Sequence, residues 1–185
     1  MPPKAKYTKE QITDVAYEMV RRYGADMISA RNLAADLGTS TSPIFAAFDS
    51  IDEVLSAVAK KAEALYKSYL DEGLSQAPAF KGAGLKYIQF AKDEPELFKF
   101  LFMRAGPDEP SHYLPAGFKF EPTVRSTVET SYKADEKKAK WLYNHLSIYT
   151  HGLAVLFAQG NCVFTDEDVS RMLSEIFYAL TKEKL

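Results

Sequence analysis

Apolar residues recur at helical spacing along nearly the whole chain, and no useful stretch alternates with a strand's period of two. From Thr8, the residues Ile12, Val15, Ala16, Met19, Val20 and Tyr23 step by three and one onto a single helix face. Gly24 stops that helix. Ser29 can cap a short second helix carrying Leu33, Ala34 and Leu37, which Gly38 ends. Thr39 or Ser40 opens a third, with Pro43 near its first turn, where a missing N–H costs little. A long helix follows over Ile51–Leu74, with Ile51, Val54, Val58, Ala62 and Leu65 on one side. Leu85–Lys92, Pro95–Arg104, Phe120–Lys133, Ala134–Gly160 and Thr165–Lys184 read as further helices. Gly73–Gly84 reads as a loop and a helix start, with Pro78 a candidate first-turn proline, and the prolines of Ala105–Gly117 mark a second loop. The expected fold is all-α, with about nine helices.

Composition narrows the function classes. Hydrophobic residues make up 46% of 185, enough for a core without staples. The single cysteine, Cys162, excludes an internal disulfide framework and a Cys-rich zinc site. His145 and His151 lie on different helix faces with no accompanying carboxylate pair, so no metal and no cofactor is expected. Lys81-Gly82-Ala83-Gly84 lacks the preceding strand and third glycine of a dinucleotide fingerprint. No motif of nucleophilic or metal-assisted catalysis occurs, so the chain is not expected to be an enzyme. No stretch approaches the ~20 apolar residues of a membrane span, and the N-terminus has lysines but no apolar segment behind them. A cytoplasmic protein with no membrane partner is the expectation. The net charge of −2 excludes a generally cationic nucleic-acid coat but leaves a local binding face open.

Three short helices within residues 8 to 48, the last two joined through Gly38-Thr39, have helix-turn-helix spacing. The segment ISARNLAADLGTSTSPIFAAFDSIDEVL, Ile28 to Leu55, resembles the DNA-binding domain of TetR-type (tetracycline-repressor-like) transcriptional regulators. The matching positions are Ser29, Arg31, Leu33, Ala34, Gly38, Ser40, Pro43, Ile44, Phe48, Ser50, Glu53 and Leu55. SIYTHGLAVLFAQG, Ser147 to Gly160, looks like the His-Gly signature of one C-terminal ligand-domain subgroup of that family. The resemblance implies a helix-turn-helix DNA-binding domain over 1–50, and a helical effector-binding and dimerisation domain over 51–185. It implies that Ser29, Arg31, Ser40, Thr41, Ser42, Pro43, Phe45 and Ala46 face DNA, as a homodimer on a palindromic operator. The function implied is a repressor released by a small effector.

Several positions depart from the family. Phe45 stands where tyrosine is usual, Ala46 and Ala47 where polar or aromatic residues are usual, and Ile51 where a lysine usually meets a phosphate. No Lys or Arg occurs between Arg31 and Lys60, and residues 1 to 62 sum to zero charge. Arg31, arm lysines Lys4, Lys6 and Lys9, and Lys60 and Lys61 are the available cations, with Ile44 and Phe45 offered to groove methyls. A same-fold module that binds a ligand or protein but no longer reads DNA is the alternative.

Aromatics reach 13%, with 12 Phe and 11 Tyr. Tyr66, Phe98, Phe102, Met103, Tyr113, Trp141, His145 and Tyr149 are candidate walls for an apolar or aromatic effector, and core packing is the competing reading for each ring. Leu142, Leu146, Tyr149, Leu153 and Leu156 repeat at spacings of four and three, a seam for a dimer with the apolar face of the last helix. That seam could equally pack inside one subunit.

Overall fold

The structure, a computed structural model, describes residues 7–104, 122–132 and 135–182. Among them are nine α-helices and no strand: α1 Lys9–Tyr23, α2 Ala30–Asp36, α3 Ser42–Ala47, α4 Ile51–Leu74, α5 Ala79–Asp93, α6 Pro95–Phe102, α7 Pro122–Tyr132, α8 Glu136–Ala158 and α9 Asp166–Lys182.

Local signals set the first helices. Thr8 accepts from the Gln11 N–H at 3.1 Å while the Gln11 side chain accepts from the Thr8 N–H, so two orphan donors of α1 are satisfied reciprocally. Ser29 caps α2 by accepting from Asn32 N–H, and Ser50 caps α4 by accepting from Glu53 N–H, each at 3.1 Å. At Gly38, φ is +63°, a left-handed conformation that lets the chain turn sharply between α2 and α3. The start of α3 differs from expectation. Thr41, not Thr39 or Ser40, holds the N-cap position, and its hydroxyl makes no capping bond.

The fifth helix also differs. It begins at Ala79, inside the Gly73–Gly84 segment expected to hold a helix start, with Pro78 at the N-cap, so Gly82 and Gly84 lie within a longer helix than Leu85–Lys92. Gly82 is there because α4 and α5 cross closely. A Cβ on Gly73 would lie 2.6 Å from the Gly82 carbonyl oxygen, and a Cβ on Gly82 would overlap the Gly73 carbonyl in turn. Here backbone approach outweighs the weak helix propensity of glycine.

One apolar core runs from α1 into the C-terminal helices. Ile12, Val20, Leu33 and Ile44 of the first three helices belong to the same buried cluster as Val54, Phe90, Phe98 and Ala154. A charged contact crosses the same junction. Glu94, between α5 and α6, is only 6% exposed, and the Arg21 guanidinium of α1 donates to both its oxygens at 2.7 and 2.5 Å. This bidentate geometry is the strong form of an ion pair, and it raises the Arg21 pKa, chiefly through the hydrogen bonds to Glu94. Two smaller clusters lie further along. One joins Leu70, Ala83, Val124 and Tyr143; the other joins Val128, Ala139, Leu142 and Leu146 with Ile176 and Phe177 of α9.

Candidate functional site

The α2–turn–α3 surface carries the residues implied to face DNA. Ser40, Ser42 and Ala46 are exposed, Thr41 and Pro43 half-buried, and Phe45 stands out at 50% exposure. Arg31 is exposed near the start of α2. Ser29 is half-buried, and its oxygen is engaged by the Asn32 N–H. Ile44 does not join this surface. It is fully buried against the α1 core, so Phe45 alone offers a large apolar side chain there.

Charge on this unit is partly consumed internally. Lys9 pairs with Glu53 at 2.8 Å and sits over the Phe48 ring, which fixes it to the body of the first helices. Lys61 pairs with Asp14 at 2.6 Å, and Arg21 is held by Glu94. Among the described residues of this unit, Arg22, Arg31 and Lys60 are the exposed cations outside any ion pair. Lys4 and Lys6 lie outside the described residues.

A cavity of about 330 Å³ opens between α4, α5, α7, α8 and α9. From α4 come Tyr66 and Leu70, and from α5 Phe80, Lys81 and Tyr87. Tyr143, Ser147 and Thr150 step along α8 by four and three, and Leu173, Ser174, Phe177 and Tyr178 do the same on α9. Six aromatic rings share the wall with aliphatic residues and with the hydroxyls of Ser147, Thr150, Ser174 and four tyrosines. The Lys81 ammonium donates to Ser174 Oγ at 2.9 Å, and Thr150 Oγ1 donates to the Leu146 carbonyl at 2.7 Å.

Of the expected wall residues that the structure describes, only Tyr66 lines the cavity. Phe98 and Phe102 are buried one layer behind it. The Phe102 ring lies 5.1 Å from that of Tyr66 and 5.2 Å from that of Tyr87, and Phe98 lies 5.4 Å from Tyr87. Both belong to α6, which packs on α4, α5 and α8. Met103 is exposed at the end of α6, His145 is exposed on α8, and Tyr149 is half-buried against the main core. The Trp141 ring packs beside His145, with centroids 4.3 Å apart. Tyr113 lies outside the described residues.

His151 sits behind the same wall, its Nδ1 2.9 Å from the Tyr87 hydroxyl. Burial lowers the histidine pKa and raises that of the tyrosine, so the contact joins a protonated phenol and a neutral imidazole, with the donor set by the imidazole tautomer. The lining residues missed from sequence, Lys81 and the Ser147 and Ser174 stripes, carry one readable signal. Small hydroxyl residues recur with rings at helical spacing on α8 and α9, which suits a wet cavity better than a dry core.

The residues of the expected dimer seam divide between buried and exposed positions. Leu142, Leu146 and Leu153 are buried within the chain. Tyr149 is half-buried, and Leu156 of the same seam is 40% exposed on the outward face of α8 with His145, Ile148 at 59% exposure and Gly152. Nothing lies within 4 Å of a Cβ built on Gly152. Among the described residues, no cluster of His, Cys, Asp and Glu could hold a metal ion, and no helix is long and apolar enough to cross a membrane.

No protein-family model matches the chain, and no curated protein matches it. Among solved structures, it is similar to the crystal structure of a TetR-like transcriptional regulator from Rhodococcus sp. RHA1. The TM-score is 0.67 at 15% identity, over 95% of this chain and 97% of that one. The likeness shows the fold: an N-terminal helix-turn-helix unit followed by a larger helical domain.

Proposed function

We propose that the protein is a dimeric DNA-binding transcriptional regulator whose cavity takes a small, largely apolar effector. The observation that carries this reading is the pairing of two features on one continuous core: an exposed, capped α2–turn–α3 surface and a ring-lined cavity behind α4. Arg31, Ser40, Ser42 and Phe45 meet the major groove, with hydroxyls and backbone N–H groups on phosphates and Arg31 on a phosphate or guanine. An effector presses on Tyr66 and Tyr87, which touch Phe98 and Phe102 of α6, and the corner before α6 holds α1 through Glu94 and Arg21. It shifts the reading heads only if it binds one arrangement of these helices better than the other, and release of a repressor is the expected sense.

The α8 stripe of Ile148, Gly152 and Leu156 supplies the two-fold contact, with α9 beside it. An exposed glycine in the middle of a long helix costs about 1 kcal/mol against alanine. Close approach of a second helix is a reason to keep it.

A gel-shift titration against the region upstream of the protein's own gene, with and without ligand mixtures, tests the regulator reading. A retarded band competed by specific but not random DNA supports it. The neutral α3, with no charged residue over Ser42–Ala47, favours a second reading in which the same fold binds its ligand without reading DNA. Absence of binding to any genomic fragment, with cavity binding intact, selects that second reading.

A further inference from the structure

We infer that the cavity takes a monocarboxylate with an apolar body, its carboxylate seated on the Lys81 ammonium. This rests on the reading of the cavity as an effector site and adds the charge of its occupant. The argument starts from a contrast among the half-buried lysines. Lys86 pairs with Glu72, Lys92 with Asp166 at 2.5 Å, and Lys99 with Glu96 at 2.6 Å. Lys81 has no carboxylate among its partners. Its ammonium reaches only the Ser174 hydroxyl, which in turn donates to the Ser170 carbonyl at 3.0 Å. One of its three N–H donors is thus used, on a neutral acceptor, and the others remain for an occupant of the cavity.

The rest of the wall does not supply the missing charge. No Asp or Glu lines the cavity among the described residues. The ammonium is therefore an uncompensated cation beside rings and methyl groups, where a charge-assisted hydrogen bond is stronger than in water. A single lysine, with no arginine in the lining, matches one negative charge rather than the two of a phosphate monoester. Pro78 starts α5 on the same wall without a side-chain cap, so the positive end of that helix dipole adds to the local potential. The aromatic lining from Tyr66, Phe80 and Phe177 receives the apolar body.

Calorimetric titration of the full chain with matched probes tests this. The acids are octanoate and 2-naphthoate, the neutral analogues octanamide and 2-naphthamide, and the cation octylammonium. At least one acid is expected to bind roughly 10- to 100-fold tighter than its amide, with the ammonium weakest. In Lys81→Met the acid and amide become equal while the amide keeps its wild-type affinity; in Lys81→Arg the preference returns. The wild-type ranking stands alone if a variant folds poorly. Equal binding of acid and amide to the wild type overturns the carboxylate and leaves the effector cavity standing. So does an acid preference that survives Lys81→Met. Binding of no probe of either body overturns the effector cavity and the carboxylate together. Comparison of the two acids identifies an aliphatic or an aromatic body.

Discussion

The surface made by α2 and α3 draws its residues from one short run, Ser29 to Ala46, whereas the cavity collects its wall from Tyr66 on α4 to Tyr178 on α9. The first is shaped by neighbours in sequence: a serine cap, a left-handed glycine, a proline in the first turn. The second exists only when five helices meet. The two are also set in different charge surroundings. Beside the outer surface, Lys9 and Lys61 of α1 and α4 are held in pairs and Arg31 alone of its own run is a cation, while the cavity leaves Lys81 without a countercharge among the described residues. The surface proposed to read DNA is thus poor in free positive charge, and the cavity proposed for an apolar effector keeps one cation. The difference teaches that net charge over a region says little about where an anion binds; the count of uncompensated cations says more.

Four substitutions break or sharpen this comparison. The largest effect is expected at the junction of the two regions. Arg21→Ala leaves Glu94 buried and unpaired. Loss of one partner of a fully buried pair costs ~3–5 kcal/mol; because the Arg21 side chain is 45% exposed, about 2–3 kcal/mol is expected here. Denaturant unfolding measures it, and a loss below the scatter of surface mutations would show that Glu94 is hydrated without its partner. Next comes Arg31→Ala, expected to remove about 1–3 kcal/mol of specific DNA binding per subunit while leaving ligand affinity and thermal stability unchanged. Anisotropy titrations at several salt concentrations decide; DNA affinity unchanged by the substitution would mean that the reading surface lies elsewhere.

Gly152→Ala separates an interface from a free helix face. In a dimer built on this stripe, the added methyl group weakens association, seen in sedimentation as dissociation at micromolar concentration. On a free face, the same change raises stability by about 0.5–1 kcal/mol and leaves the mass unaltered. The smallest effect concerns the layer behind the cavity. Burial holds His151 neutral, so its folded pKa lies below the unfolded value near 6.5. The unfolded chain then binds the extra proton, and stability present above pH ~6.5 is lost as pH falls through the folded pKa. His151→Gln should narrow the gap in unfolding free energy between neutral and mildly acidic buffer. A gap as wide as in the wild type would assign the acid loss to carboxylates instead.

The helices were largely legible in sequence because their ends are local chemistry. Ser29, Ser50 and Gly24 act within one turn of themselves, and Ile51–Leu74 reads from its periodicity alone. The beginning of α5 was legible only as a helix start within Gly73–Gly84; the reason for Gly82 was not, since it answers to the Gly73 backbone of another helix. The cavity followed the same rule. Rings at Phe98 and Phe102 mark an apolar helix but not which layer it occupies, and that layer is set by how α6 leans on α5. Lys81 was passed over because its meaning lies in what fails to accompany it, and pairing is a property of three dimensions. Ile44 likewise reads as groove-facing by its place in the third helix, while the packing of α3 on α1 turns it inward.

The Arg21–Glu94 contact bears on how freely such a molecule can be taken apart and recombined. Position 50 invites a cut, since a capped helix begins there and the first three helices look self-contained. Yet a foreign first unit grafted at that point arrives without this guanidinium and leaves a sealed carboxylate with no countercharge. A working chimera must carry an arginine at the place of Arg21 or accept an apolar residue at Glu94. The two parts are joined by a shared electrostatic obligation as well as by the chain, and exchange of one rewrites a requirement of the other.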